Sequence, residues 1–319
     1  MGSNIRITER DMELLKFLAE YKIMLLDNAR YIYDTITYQE KRIVKLVRHG
    51  YVKRLKHRYV TLGMEGIGLL IYSGVEIRQH CRNANNMERL KIISDIAAAL
   101  SFTADTNFIP SWQLKKDDKP TNHSRRYIGI TNFDDKLRMV YAIYEGKTKR
   151  YLTSINYDMK REYDYDHFII FTNNLEQFLF MKRPYYPQTR HIRLILYNDF
   201  SKAIIRNYEK IKIMIQIHFE KEYEIEPFYD EEGKESFDFI MDYTIYAKLM
   251  LFIEIDELNR LDRYFEPGWK HTKDVIIICL EENLELLKKY KPNHKFITIS
   301  RDKIKEFIEQ DYPSDMEWI

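Results

Sequence analysis

The sequence contains few of the residues that build disulfide frameworks, phosphate-binding loops or metal clusters. Its 319 residues include only two cysteines, Cys81 and Cys279, and only ten glycines. Two distant cysteines exclude a disulfide-stapled secreted domain and favour a reducing compartment. The sequence has no Gly-rich signature of a phosphate-binding loop. Its nine histidines show no His-x-His or His-x-x-x-His spacing suited to a metal ion.

Long apolar segments are absent as well. Runs such as Val275–Leu280 have the length of a strand and are far too short to span a bilayer. The first residues include no basic segment followed by an apolar run, so we expect no signal peptide. These absences together predict a cytoplasmic protein with no membrane partner.

The charge that the chain does carry is unevenly distributed. Residues 1–60 hold 13 Lys and Arg against seven Asp and Glu, a net of +6, whereas the remainder has a net of −4. The segment from Lys41 to Arg58 has eight basic residues and no acidic one. A basic segment at one end of a mildly acidic chain indicates a nucleic-acid contact confined to that end.

Capping residues and apolar periodicity predict three helices in this basic segment and just before it. Thr8 is expected to cap the first helix, and Thr37 with Glu40 forms a potential capping box for the third. Gly50 is expected to end the third helix in a left-handed conformation. The predicted helices are Glu9–Tyr21, Leu25–Tyr33 and Tyr38–His49.

Two alternating stretches follow, Tyr51–Leu55 and Tyr59–Leu62, and they predict a hairpin around a basic turn. Three helices and a hairpin are the order of a winged helix-turn-helix, whose third helix enters a major groove while the wing lies along phosphates. Two alternatives to DNA binding are a basic face that is only solvated and a winged helix that contacts protein. The candidate groove residues are Arg42, Lys45 and Arg48, and the candidate phosphate contacts are Lys53, Arg54, Lys56 and Arg58. Lys41 on the same helix is a further candidate DNA contact.

The rest of the chain contains a weak internal repeat. Residues 127–179, shifted by 109 positions, match residues 236–288 at six identities, among them Glu145 with Glu254 and Asn174–Glu176 with Asn283–Glu285. Each half predicts a hairpin, a buried strand about two dozen residues later, a helix and a further strand. The sequence thus predicts an α+β protein: a winged helix over 1–75, a linker over 76–86, and two tandem α/β units over 87–200 and 201–319.

A hairpin with an acid on one strand and Glu-x-Lys on the next, followed by strand, helix and strand, resembles a degenerate restriction-endonuclease-like fold. That chemistry uses carboxylates to hold Mg²⁺ and a lysine to orient or activate water. The second half offers Asp238, Glu254 and Asp256 as metal ligands, but Asp256 stands where the lysine belongs. The first half has the lysine in Glu145-Gly146-Lys147 and lacks an acid on its first strand. A solvated strand end with a helix cap is the simpler alternative, so no catalytic residue is assigned and Mg²⁺ is only an option.

Four segments carry a resemblance to a known family: Thr8–Asp11, Arg58–Gly63, Met87–Ile96 and Phe252–Asp256. Together they resemble the replication-relaxation family of bacterial plasmids and conjugative elements. The resemblance covers residues 8–100 and 236–300, and it implies a winged helix fused to a nuclease-like domain with a role in plasmid replication or DNA relaxation.

Three functional hypotheses follow from the sequence. The first is a non-enzymatic, site-specific double-stranded DNA-binding protein of a plasmid or mobile element, acting in replication, transfer or maintenance as a homodimer or with a protein of the replication or transfer machinery. The second is a Mg²⁺-dependent nuclease or nickase that uses Asp238, Glu254 and Asp256. The third is a winged-helix transcriptional repressor, for which the sequence offers no ligand signature.

Overall fold

The computed structural model describes residues 5–33, 35–56, 58–77, 87–102, 106–117, 126–143, 149–162, 164–176, 190–228, 237–265 and 274–310. The chain divides into two compact units, Met1–Asp117 and Asp118–Ile319. Both units contain helices and strands, which confirms the α+β class. None of the helices in these described ranges combines the length and the apolar character needed to cross a lipid bilayer.

The first unit consists mainly of helices around a small sheet. Its elements in chain order are α1 (Glu9–Tyr21), β1 (Ile23–Leu25), a 3₁₀ turn (Leu26–Ala29), α2 (Arg30–Tyr33), α3 (Ile36–Arg48), β2 (Val52–Arg54), β3 (Tyr59–Leu62), α4 (Met64–Tyr72), α5 (Met87–Ser101), β4 (Phe108–Pro110) and α6 (Ser111–Asp117).

Helix α1 begins where the sequence predicts. The Thr8 hydroxyl accepts a hydrogen bond from the Asp11 backbone N–H, and the Asp11 carboxylate accepts one from the Thr8 backbone, which completes a capping box. Leu14, Leu15 and Leu18 lie on one face and are fully buried, as their spacing requires.

Helix α3 begins two residues earlier than predicted. Thr35 is the N-cap, and its hydroxyl accepts from the Tyr38 N–H at 3.4 Å, so Thr37 lies inside the helix and the predicted Thr37 cap is wrong. The Gln39 side-chain amide donates to the Leu26 carbonyl, a contact that favours this earlier start over the alternative. The end is as predicted, because Gly50 follows the helix with φ +75°.

The sheet of the first unit has the order β1-β3-β2, and all its pairs are antiparallel. The β2–β3 hairpin is the predicted one, whereas β1 was not predicted. Helix α5 packs on β1, where the Ser94 hydroxyl donates to the Ile23 carbonyl, and Asp95 accepts from the Asn28 amide at 3.0 Å. This helix therefore belongs to the first unit, although the sequence division assigned it to the first α/β unit. Most of the predicted linker, residues 78–86, lies outside the described ranges.

The second unit contains two mixed sheets with helices between the strands. Its elements in chain order are β5 (Gly129–Phe133), β6 (Lys136–Ile143), α7 (Lys149–Lys160), β7 (His167–Thr172), β8 (His191–Leu196), α8 (Asp199–Arg206), α9 (Tyr208–Phe219), β9 (Ile225–Pro227), β10 (Phe239–Met241), β11 (Ile245–Met250), β12 (Ile253–Glu254), α10 (Ile255–Phe265), β13 (Asp274–Leu280), a 3₁₀ turn (Glu281–Asn283), α11 (Leu284–Tyr290), β14 (Phe296–Ile299) and α12 (Arg301–Glu309).

The two sheets repeat one connection order, which gives the weak sequence repeat a structural counterpart. In the first, the antiparallel hairpin β5–β6 is followed by β7 and β8, both parallel to β6. In the second, the antiparallel hairpin β10–β11 is followed by β13 and β14, both parallel to β11. Both hairpins turn through two residues with positive φ, Asp134 and Asp135 in one, Asp242 and Tyr243 in the other.

The division at residue 200 does not separate two independent units. Strand β11 ends at Met250, and the short strand β12 leaves the second sheet to pair with β8 of the first. Glu254 thereby lies opposite Arg193. Residues Met250 to Ile253 are all buried, so this apolar crossing ties the two sheets together.

Candidate functional site

Seven of the eight predicted DNA-contacting residues are exposed on α3 and the β2–β3 hairpin of the first unit. The apolar face of α3 explains their position, since Ile43 and Leu46 are buried and the charged positions of the helix face away from them. We call this set the basic surface: Lys41, Lys45, Arg48, Lys53, Arg54, Lys56 and Arg58.

Arg42, the eighth predicted contact, has a different environment. Its guanidinium forms an ion pair with the fully buried Asp11, with Nε 2.9 Å from Asp11 Oδ1, and also donates to the Arg6 carbonyl at 2.6 Å. Only 11% of the Arg42 side chain is exposed. Burial alone would raise the pKa of Asp11, but hydrogen bonds from Arg42 and Thr8 outweigh it and hold the pKa below its usual value. Arg42 thus joins α3 to α1 in this structure.

Arg58 also has an acidic partner, but a weak one. Its NH2 lies 2.6 Å from Asp27 Oδ1, and both side chains are at least half exposed. An exposed pair of this kind contributes little and is screened by salt. Arg58 therefore remains able to exchange Asp27 for a phosphate.

The second unit contains a polar cleft of about 420 Å³ lined by both of its sheets. Six acidic side chains, six Lys or Arg side chains and two histidines line it, so its formal charge is balanced. The charged and histidine residues of this charged cleft are Asp134, Asp135, Lys136, Arg138, His167, His191, Arg193, Lys212, Asp238, Lys248, Glu254, Asp256, Glu257 and Arg260.

All three predicted metal ligands line the charged cleft, and each is already bound by a donor or a cation. Asp238 accepts the Leu249 N–H at 2.6 Å and pairs with Lys248 at 3.3 Å. Glu254 lies 2.6 Å from the Arg193 guanidinium. Asp256 accepts from His191 at 2.6 Å and from the Ile192 N–H at 3.1 Å.

Lys248 on β11 lies beside one of the predicted carboxylates. Its side chain is 13% exposed, and its ammonium group faces Asp238. Burial alone would lower the pKa of Lys248, but Asp238 and Glu254 outweigh it and hold the pKa above its usual value. Lys248 is therefore a permanent positive charge beside the predicted carboxylates.

Three basic side chains lie in a row across the parallel strands of the first sheet. Arg138 on β6 is in register with His167 on β7, which is in register with His191 on β8. The two imidazoles stack with ring centroids 4.4 Å apart. Burial, and then the neighbouring His191 and Arg138, lower the pKa of His167 to about 4. His167 is thus neutral at physiological pH.

Arg193 occupies the centre of the charged cleft. Its NH2 lies 2.8 Å from Asp134 and 2.6 Å from Glu254, and its guanidinium stands 5.5 Å from the Tyr208 ring centroid. Its Nε and NH1 have no hydrogen-bond partner within the described ranges. Burial alone would raise the pKa of Asp134, but Arg193 and Lys212 outweigh it and hold the pKa far below its usual value. Arg193 therefore links the β5–β6 turn to β12.

One group of side chains in the described part of the chain has the spacing of a metal-binding set. It consists of His191, Asp256 and Glu257, whose candidate ligand atoms all lie within 4.8 Å of one another. Asp238 and Glu254, two of the three predicted ligands, are not part of it. Burial raises the pKa of the Glu257 carboxyl, an effect that Lys248 only partly offsets.

Sequence reasoning did not find Lys248, His191 or Glu257, because their proximity depends on which strands become neighbours. The only available signal was the position of His191 at the start of a strand parallel to the one that begins with His167. Glu145 and Lys147 of the first half lie outside the described ranges. Comparison of the chain with protein-family models, with curated proteins and with solved structures found no match.

Proposed function

We propose that the first unit binds double-stranded DNA through the basic surface. The observation that carries this proposal is that seven exposed basic side chains lie together on one helix and the hairpin after it, with Asp27 as the only carboxylate that pairs with one of them within the described residues. Phosphate neutralisation by such a surface supplies affinity at any sequence.

The element order of the first unit supports a specific docking arrangement. The order α1, β1, α2, α3, β2, β3 fits a winged helix, in which the helix before the hairpin enters the major groove. Lys41, Lys45 and Arg48 would then face base edges, and the hairpin cations would contact the phosphates. Arg42 is removed from the groove set because it binds Asp11.

The biological role that we propose is site-specific binding for a plasmid or mobile element in replication, transfer or maintenance. It rests on the resemblance of Thr8–Asp11, Arg58–Gly63 and Met87–Ile96 to the replication-relaxation family. Recognition by a homodimer of two half-sites is the arrangement that we expect, since helix-turn-helix proteins usually pair in this way.

Fluorescence anisotropy with labelled duplex DNA tests the proposal. Lys53→Ala should weaken binding and reduce the slope of log affinity against log salt by about one, whereas Lys45→Ala should weaken binding and relax the preference for sequence. Lys16→Ala is the matched control, because Lys16 is an exposed lysine on α1 outside the basic surface. Equal affinity for all three variants and the unmodified chain would exclude the basic surface as the DNA contact.

Hydrolysis of DNA phosphodiester bonds in the charged cleft is a second candidate function. The observation that favours it is Lys248, which stands beside Asp238 in a cleft that also holds Glu254 and Asp256. A buried ammonium of this kind binds and orients a phosphate oxygen or an attacking water. The predicted Mg²⁺ set of Asp238, Glu254 and Asp256 does not fit as it stands, because each carboxylate is held by a separate partner.

Incubation of supercoiled plasmid with the protein and Mg²⁺ or Mn²⁺ tests this second candidate. Nicking should occur, and it should be lost in Lys248→Met and Glu254→Gln. Asp135→Asn is the control, because Asp135 is exposed at the rim and asparagine tolerates its positive φ. A plasmid that stays supercoiled, or equal nicking by all three variants, would exclude the cleft as a nuclease site.

A further inference from the structure

We propose that His191, Asp256 and Glu257 form a binding site for one divalent transition-metal ion, of which Mn²⁺ and Zn²⁺ are the best candidates. The site lies in the charged cleft and deepens the second candidate function, on which its biological use rests. Ion binding itself requires no DNA and no cleavage, so the metal site and the nuclease activity can be tested separately.

The three side chains lie close enough together to share one ion. Their candidate ligand atoms lie within 4.8 Å of one another, and His191 Nδ1 is already 2.6 Å from Asp256 Oδ2. Bonds from Zn²⁺ to nitrogen or oxygen are about 2.0–2.2 Å long, so an ion between these atoms needs only small side-chain adjustments. Asp256 and Glu257 lie in the first turn of α10 and His191 begins β8, so regular elements hold all three.

Glu257 also has a carboxylate oxygen that lacks a hydrogen-bond partner in the described part of the chain. The Glu257 side chain is 7% exposed, and its Oε1 accepts one hydrogen bond from Arg260 at 3.2 Å. Its Oε2 is buried and has no hydrogen-bond partner in the described part of the chain. A buried carboxylate oxygen without a partner costs free energy, and a bound cation removes that cost.

A purely structural role explains only part of the cluster. The hydrogen bonds from His191 and from the Ile192 N–H account for the position of Asp256 at the start of its helix. They do not account for Glu257, which lines the same cleft and has a buried oxygen without a hydrogen-bond partner. The metal site explains both carboxylates.

The composition of the set selects the class of ion. Two carboxylates and a neutral imidazole bring a charge of −2, which a divalent cation balances. Imidazole nitrogen suits Zn²⁺ and other transition metals, and carboxylates suit Mn²⁺, whereas Mg²⁺ and Ca²⁺ prefer oxygen ligands alone. Arg260, whose guanidinium stands 3.5 Å from His191 Nε2, is 44% exposed and has room to turn into solvent as the ion enters.

The test is a titration of the full chain, after treatment with a chelator, with MnCl₂ and with ZnCl₂. Loss of the free Mn²⁺ signal in electron paramagnetic resonance measures the first ion and calorimetry measures the second, with MgCl₂ as the comparison. We expect one saturable site that prefers Mn²⁺ and Zn²⁺ over Mg²⁺.

Variants locate the site. Glu257→Gln and His191→Gln should each weaken binding by about 100-fold or more, since even residues behind the ligands cost 10–100-fold. Asp135→Asn removes one negative charge from the same cleft, as Glu257→Gln does. Its metal affinity should stay within about threefold of that of the unmodified chain at physiological salt. Circular dichroism shows whether each variant is folded. If Glu257→Gln does not fold, His191→Gln still tests the site, because 27% of the His191 side chain is exposed and its replacement disturbs the fold less.

Each outcome has a defined meaning. No saturable binding of either ion, full affinity in both ligand variants, or an equal loss in Asp135→Asn would each overturn the site. Saturable binding without plasmid nicking would uphold the site and exclude the second candidate function. Nicking that is unchanged in Glu257→Gln and His191→Gln, with no Mn²⁺ or Zn²⁺ binding, would uphold the nuclease and overturn the site.

Discussion

The ion pair between Asp11 and Arg42 separates a stabilising arginine from a DNA-binding one. Asp11 is fully buried and accepts hydrogen bonds from the Thr8 N–H at 2.7 Å, the Thr8 hydroxyl at 2.8 Å, the Tyr33 hydroxyl at 2.9 Å and the Arg42 guanidinium. Arg42→Ala leaves this carboxylate without its counter-charge. Removing one partner of a buried pair costs about 3–5 kcal/mol, and the three remaining donors place this case near the lower end.

Lys45 provides the comparison, because it lies on the same helix and is exposed. Lys45→Ala should change the free energy of unfolding by no more than about 0.5 kcal/mol. The effects on DNA binding should be opposite: Lys45→Ala weakens binding, and Arg42→Ala retains it at temperatures where the first unit is still folded. Arg42→Lys keeps the charge and should recover part of the lost stability.

Hydrogen exchange detected by mass spectrometry is the suitable assay, because a chain with two units need not unfold in one transition. Peptides from α1 and α3 should lose protection in Arg42→Ala, whereas peptides from the second unit should not. Anisotropy at low temperature supplies the DNA affinity. Normal protection of α1 and α3 in Arg42→Ala, together with a loss of DNA affinity as large as that of Lys45→Ala, would refute this reasoning and return Arg42 to the groove.

Three further predictions concern acid sensitivity and packing. Because the pKa of Asp11 is lowered from its usual 3.8, its stabilising contribution is present above that pH and is lost below it; urea denaturation of the first unit should show this loss, and Asp11→Asn should remove it. Because the pKa of His167 is lowered from 6.5 to about 4, the second unit should lose stability as pH falls through that range. In His167→Gln the urea denaturation midpoint should depend less on pH over the same range. Gly66→Ala would place a Cβ 2.3 Å from the Tyr51 carbonyl oxygen and should lower the free energy of unfolding by at least about 2 kcal/mol, whereas Gly68→Ala in the same helix meets no atom within 4 Å and should raise it by about 0.5–1 kcal/mol. The melting temperatures of the two variants should therefore shift in opposite directions.

Local signals predicted the elements that are defined by local contacts. Thr8 and Asp11 are three residues apart, and both the start of α1 and its end were predicted from them and the apolar pattern after them. The hairpin of β2 and β3 was predicted because its strands alternate on either side of a short turn. The start of α3 was missed by two residues, because Thr35 and Thr37 are equivalent as caps until Gln39 contacts Leu26.

Elements that depend on distant partners were not predicted. Strand β1 has only three residues directly after a helix, and it exists because Ile23 pairs with Thr61. The short strand β12 leaves its own half of the repeat because Glu254 finds Arg193 on β8. Neither pairing leaves a periodic pattern in the sequence, because each strand is shorter than the window in which periodicity is detected.

The candidate metal site shows the same limit more sharply. Asp256 was selected from a motif, but its neighbour His191 is 65 residues away in sequence and joins it only through the pairing of β12 with β8. The motif predicts a lysine two residues after Glu254, whereas Lys248, the lysine that pairs with Asp238, lies on β11 ahead of Glu254. Composition identified the right residue types in this half of the chain, and strand pairing decided which of them meet.

The two candidate sites differ in how their charges are held, and this difference predicts different ligands. On the basic surface, Lys45, Arg48 and the hairpin cations are exposed, so a polyanion gains contacts without displacing buried partners. In the charged cleft, Arg193, Lys212 and Lys248 each have a carboxylate within 4 Å, so an incoming phosphate must first break an ion pair. Among the carboxylates that line the cleft, Glu257 has a buried oxygen with no hydrogen-bond partner in the described residues. DNA binding at the basic surface should therefore weaken steeply with salt, whereas a small cation held by His191, Asp256 and Glu257 should respond to chelators far more than to ionic strength.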